Sequence, residues 1–196
     1  DNLKNTQTLA NALIEDLKNH HFGYAYPKLV GKDISKAINL RKAGLGLLGN
    51  IVGDKKAVAC IEDTAVEVND LPNYIAEFTE MISKYDQDAV YYAHAGAGEI
   101  HLRPILNLKK KDDVVLFRTI TTEVAKLVKK YNGSFSGEHG DGIVRAEFIE
   151  YMIGKNNYQL LQRIKSTFDP HSIFNKGKIV DAFPMDKNLR YKVDRI

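Results

Sequence analysis

The chain has 196 residues, 44% hydrophobic and 27% charged, with a net charge of +3. That is enough chain for one sizeable core and an ordinary composition for a globular protein. It excludes a membrane span, which needs about 20 consecutive apolar residues, and a lone Cys60 excludes an internal disulfide or a self-contained cysteine-ligated cluster.

Residues 1–22 predict an amphipathic helix, because Leu9, Leu13 and Leu17 recur at i, i+4 with Ala10 and Ile14 beside them. His20-His21 at its end suit a helix C-terminus. Gly23 to Lys32 reads as a connector. Asp33 is the expected N-cap of a second helix carrying Ile34, Ala37, Ile38 and Arg41, fading at Gly44-Leu45-Gly46. Ala57 to Ile61 predicts a buried strand that continues through Glu62 to Val66. Leu71 to Tyr85 is the next expected helix, with Ile75, Phe78, Met81 and Ile82 on one face.

The most informative stretch follows. His94 and His101 flank Ala95-Gly96-Ala97-Gly98-Glu99-Ile100. The glycines argue against a helix, and in one straight strand these two positions face opposite ways. A hairpin with its turn at Ala97-Gly98 pairs Gly96 with Glu99, Ala95 with Ile100 and His94 with His101, and a longer or bulged turn would alter that register. Paired residues lie about 4.5–5.5 Å apart on one face, so two imidazoles can share an ion at about 2.0–2.1 Å each. Tyr92 and Arg103 then lie one step along that face. Two hydrogen-bonded sheet histidines are the alternative.

Asp112-Asp113 open a helix to about Tyr131, closed by Asn132-Gly133. Ser136-Gly137-Glu138-His139-Gly140-Asp141-Gly142 then brings a carboxylate and an imidazole into a glycine-rich loop, where backbone can approach a ligand. Adjacent Glu138 and His139 point to opposite sides in extended chain. A polar turn is the other reading. Short helices are expected over Arg145–Met152 and Asn156–Phe168, and Asp169-Pro170 breaks the chain. The stretch from about 181 reads as a tail or linker. The order strand, helix, hairpin, helix predicts an α+β fold: an antiparallel sheet with helices packed on one side (ferredoxin-like), plus a C-terminal helical segment. Scattered basic residues and the absence of Trp argue against nucleic-acid binding. No signal peptide opens the chain, and its first residue, Asp rather than Met, suggests a processed or excised piece. A cytoplasmic location, or one peripheral at a membrane, is expected.

Over about residues 34–180 the sequence resembles the C-terminal domain of FAD-linked oxidases of the vanillyl-alcohol oxidase type. Within them it is similar to the D-lactate, glycolate and D-2-hydroxyglutarate dehydrogenase group, particularly long versions with an added iron–sulfur module. The motifs are His94-x-Gly96-x-Gly98-x-x-His101, Ser136-Gly137-Glu138-His139-Gly140 and Asp169-Pro170-x4-Asn175-x-Gly177-Lys178. The resemblance implies one substrate domain over 1–196 and a divalent metal, zinc foremost, on His94, His101 and Glu138. It implies His139 as active-site base, Arg41 toward the substrate carboxylate, and Glu138, Asn175 and Lys178 toward the cofactor; Arg103, on the histidine face of the hairpin, is the other candidate for the carboxylate. It also implies FAD held mainly by a separate FAD-binding domain of the same polypeptide, an iron–sulfur electron acceptor, and a small 2-hydroxy acid as substrate. Alone, the chain should then have no oxidase activity. Ala97, Glu99, Arg103 and Lys176 depart from the residues common in that family, and Cys60 and Asp63 lie where its members carry a lysine. A metal-dependent hydrolase with Glu99 or Asp141 as base, and a non-catalytic interaction domain, are the competing functions.

Overall fold

The structure is a computed structural model and describes residues 2–194. It divides into two compact units, Asp1–Gly46 and Leu47–Ile196, each taken by itself.

The first unit holds helix α1, Leu3–Asn19, opened by the Asn2 side chain, which accepts from the Asn5 N–H at 2.8 Å. His20 closes it, with its backbone N–H on Asp16 O. The connector folds back through Lys28 to Asn11. A 3-10 turn, Gly31–Asp33, leads into helix α2, Ile34–Gly49. Asp33 therefore belongs to the turn and pairs with Lys36 at 2.7 Å. The helix also does not fade at Gly44; it ends in the second unit.

The second unit is built on strand β4, Glu99–Leu106. It pairs antiparallel with β1 (Lys56–Ala57) and β2 (Ile61–Ala65), and also with β3 (Ala89–His94). Helix α3, Leu71–Ser83, connects β2 to β3, and helix α4, Lys111–Lys130, follows β4. Beyond α4, Ser134 makes a single antiparallel bridge to Ala65. This order is a split βαβ arrangement whose last strand is reduced to one bridge, so the α+β expectation holds. The C-terminal helices are α5, Ile149–Ile153, and α6, Lys155–Phe168.

The expected continuous strand over 57–66 is broken at 58–60, and Pro104 gives the reason. The Val58 N–H bonds to Pro104 O at 2.8 Å, so the edge of residue 104 faces the break, and proline has no N–H to offer there. The chain folds inward at this point and leaves Cys60 fully buried in the core.

Side chains alternate along β4. Ile100, Leu102 and Leu106 enter one core with Tyr74, Phe78 and Met81 of α3 and with Phe117, Ile120 and Val124 of α4. Glu99, His101 and Arg103 take the opposite face. One face of the sheet is thus the hydrophobic core, and the other is free to carry polar groups. The described residues after 181 have neither helix nor strand, yet Met185 is in the core, and its N–H donates to Glu147 Oε2 at 2.8 Å. Among the described residues no helix is long and apolar enough to cross a membrane.

Candidate metal centre

The hairpin connection is longer than a two-residue turn. Ala95–Ala97 form a 3-10 turn, and Gly98 takes a left-handed conformation at φ 71°. The ladder shifts accordingly: His94 pairs with Glu99, Ala93 with Ile100 and Tyr92 with His101. The direct His94–His101 pairing is therefore corrected. A shift of two positions preserves the face, because side chains alternate with period two. His94 and His101 become diagonal neighbours, with ring centroids 5.5 Å apart.

The Ser136–Gly140 loop closes over this face. Glu138 Oε1 lies 3.6 Å from His94 Nε2 and 3.4 Å from His139 Nε2. The His139 ring stacks on His101 at 5.2 Å, and Tyr92 covers the His101 ring at 4.6 Å. One ligand atom each from His94, His101 and Glu138 lies within 4.8 Å of the others, and Asp63, Glu138 and His139 form a second such group. In the second group Asp63 already accepts from Ser136 Oγ and from the Glu138 and His139 amides.

The first group suits a divalent ion. His101 is 3% exposed, and its Nδ1 has no hydrogen-bond partner. Leaving a buried polar atom unmatched costs about 1–3 kcal/mol, and a ligated ion would remove that cost. Its Nε2 faces Glu99 Oε1 at 3.7 Å, beyond hydrogen-bond length. Burial, then the charge of His139, lowers the His101 pKa and favours the neutral imidazole a metal needs.

Two acidic groups that sequence reasoning did not place in the site stand behind it. Glu62 sits opposite His101; it pairs with Arg103 and faces His139 Nδ1 at 3.7 Å. Asp63 is the extra residue of a bulge between Glu62 and Thr64. Burial would raise its pKa, but hydrogen bonds from Glu99, Ser136 and the Glu138 and His139 amides hold it down. Glu99 moves the other way, pushed up to about 7 by burial, by its bond to Asp63 and by the charge of Glu138. Glu99 therefore keeps the proton between them. The available signal was two adjacent acids closing an apolar strand.

Arg103 lies on the site face, its guanidinium 5.8 Å from the Tyr92 ring and its Nε without a partner. Arg41 is on α2. Asn175 and Lys178 are exposed on a loop of their own after α6. Asp141 is partly buried, and burial raises its pKa.

The family described as FAD linked oxidases, C-terminal domain, matches residues 6–179. The chain is 38% identical over 146 residues to a D-2-hydroxyglutarate dehydrogenase of Pseudomonas putida, covering 74% of this chain and 14% of that protein. A D-2-hydroxyglutarate dehydrogenase of Haemophilus influenzae is 37% identical over 178 residues, covering 91% of this chain and 17% of its own length. Glycolate oxidase subunit GlcD of Bacillus subtilis is 26% identical over 155 residues, 79% of this chain and 32% of that protein. The chain thus spans a small part of the relatives it matches.

Proposed function

Because the chain belongs to the family of FAD-linked oxidase C-terminal domains, we propose that it is the substrate- and metal-binding part of a flavin-dependent enzyme oxidising a small 2-hydroxy acid. The D-2-hydroxyglutarate, D-lactate and glycolate class is the substrate range suggested by the relatives' names. The observation that carries the reading is the convergence of His94, His101 and Glu138, with His139 stacked beside them.

His94, His101 and Glu138 would hold a divalent ion, zinc foremost. When bound, that ion supplies Lewis acidity, which lowers the pKa of a substrate hydroxyl. His139 takes the hydroxyl proton at Nε2, the ring nitrogen on the Glu138 side, while Glu62 faces Nδ1 and steadies the ring. Arg103 offers its guanidinium to the substrate carboxylate, with Arg41 as a second candidate. FAD, when bound, supplies the acceptor for the hydride from the α-carbon, leaving a 2-oxo acid. Asn175 and Lys178, exposed on the loop after α6, are the candidates for contact with that cofactor, but two exposed side chains do not make a dinucleotide site. An FAD-binding domain of the same polypeptide would hold most of the FAD, and an iron–sulfur module would be its electron acceptor.

Metal analysis tests the core of this reading. The wild-type chain should bind one zinc, and His94→Ala and Glu138→Ala should each lose it. Stoichiometric zinc retained in both variants would remove the proposed centre.

A further inference from the structure

We propose that Asp63 is the positioning residue that sets Glu138 and His139 in place, with Arg145 as its cationic counterpart. The inference deepens the metal-centre reading and rests on it. Asp63 is fully buried and sits at φ 72°, a conformation uncommon for a non-glycine residue. A buried carboxylate must be matched by donors, and here every donor but Glu99 and Arg145 comes from one loop. Ser136 Oγ donates at 2.7 Å, the Glu138 N–H at 2.8 Å and the His139 N–H at 2.9 Å. The Gly137 N–H donates to the Asp63 carbonyl at 2.7 Å. Consecutive loop residues from Ser136 to His139 are thus each tied to a single residue of β2.

Arg145 completes the frame from the acceptor side. Its Nη2 donates to Gly140 O at 2.6 Å and its Nη1 to the carbonyls of Glu62 and Phe135. Nη1 also lies 3.7 Å from Asp63 Oδ2. The carboxylate gathers the loop's donors, and the guanidinium ties the Phe135 and Gly140 carbonyls at the loop's two ends to the Glu62 carbonyl of β2. Gly137 permits this approach: a Cβ there would lie 3.3 Å from Asp63 Oδ1. The Glu138 and His139 side chains are about half exposed, and their own polar contacts are 3.4–3.7 Å long. Their backbone, and therefore Asp63, fixes where they point.

The test is Asp63→Asn in the full chain. Asparagine accepts the left-handed backbone but turns an NH2 toward a loop N–H. The zinc dissociation constant should rise about 10–100-fold, the usual cost of losing a group that orients a ligand. Hydrogen exchange at the Glu138 and His139 amides should speed up while the sheet amides stay protected. Asp169→Asn is the control: it removes a buried carboxylate that binds two backbone amides on a different loop, and it should leave zinc affinity unchanged. Wild-type zinc affinity and wild-type exchange at 138 and 139 in Asp63→Asn would overturn the proposal. Should the wild type bind no zinc, the metal reading fails, and exchange at these two amides alone decides the role of Asp63. Should Asp63→Asn not fold, Ser136→Ala cuts one tie and should weaken zinc about two- to tenfold; unchanged affinity there overturns the proposal.

Discussion

At the scale of single residues, burial decides which groups are chemically active. Cys60 is fully buried, and that burial pushes its thiol up to about 12, outweighing the opposing bond with Thr121. A thiolate is the reactive form, so Cys60 should not react with a thiol-specific disulfide reagent at pH 8 until denaturant is added. Stoichiometric labelling of the native chain would contradict this. Asp169 shows the opposite case. The bond from Lys165 and those from the Ile173 and Phe174 amides hold its carboxyl below the ordinary 3.8, against the raising effect of burial. A depressed folded-state pKa stabilises above the unfolded value, and that stability is lost as pH falls through the folded value. Asp169→Asn should therefore lower the urea midpoint at pH 7, and the gap to wild type should shrink steadily below about pH 4. A gap that stays constant down to pH 2.5 would show that the ionised carboxylate is not the stabilising form.

At the scale of elements, what was legible in the sequence depended on whether the signal was local. The α3 and α4 helices follow from apolar spacing and terminal residues, such as Asp112 and Asp113 in the first turn of α4. The pairing of His94 with Glu99 was not legible, because register depends on turn geometry rather than on the histidines. The shared face of the histidines was legible, since a period-two ladder conserves it under a shift of two. The Asp63 bulge and the break opposite Pro104 are cross-strand effects with no local signature. Gly98 is where the hairpin is most constrained. It adopts φ 71°, and a Cβ there would drive into the Val66 carbonyl oxygen. Gly98→Ala combines left-handed strain with a backbone clash and should cost about 2–4 kcal/mol by chemical denaturation. The same change at Gly96, where a Cβ meets nothing, should cost less than about 1 kcal/mol.

At the scale of the whole molecule, the sheet separates stability from chemistry. Its apolar face forms the core with α3 and α4, and its other face carries the histidines, Glu62 and Arg103. The C-terminal stretch shows how far the stabilising side extends. Arg118 on α4 bonds both Glu147 oxygens and both Asp186 oxygens. That clamp, with buried Met185, is why a stretch whose composition suggests a tail is fastened down. In the proposed chemistry the polar face supplies base, ligands and arginine, and the electron acceptor is an FAD held mainly by a separate domain. The chain with zinc should therefore bind a 2-hydroxy acid without oxidising it. Titration with D-2-hydroxyglutarate or D-lactate should give a saturable, zinc-dependent signal by calorimetry. Reduction of an added dye should stay at background until a flavin-loaded FAD-binding domain is supplied. Turnover by the chain alone would place the acceptor within these residues and overturn that division of labour. Binding that persists in Arg103→Met would instead move the carboxylate contact to another cation, with Arg41 the next to test.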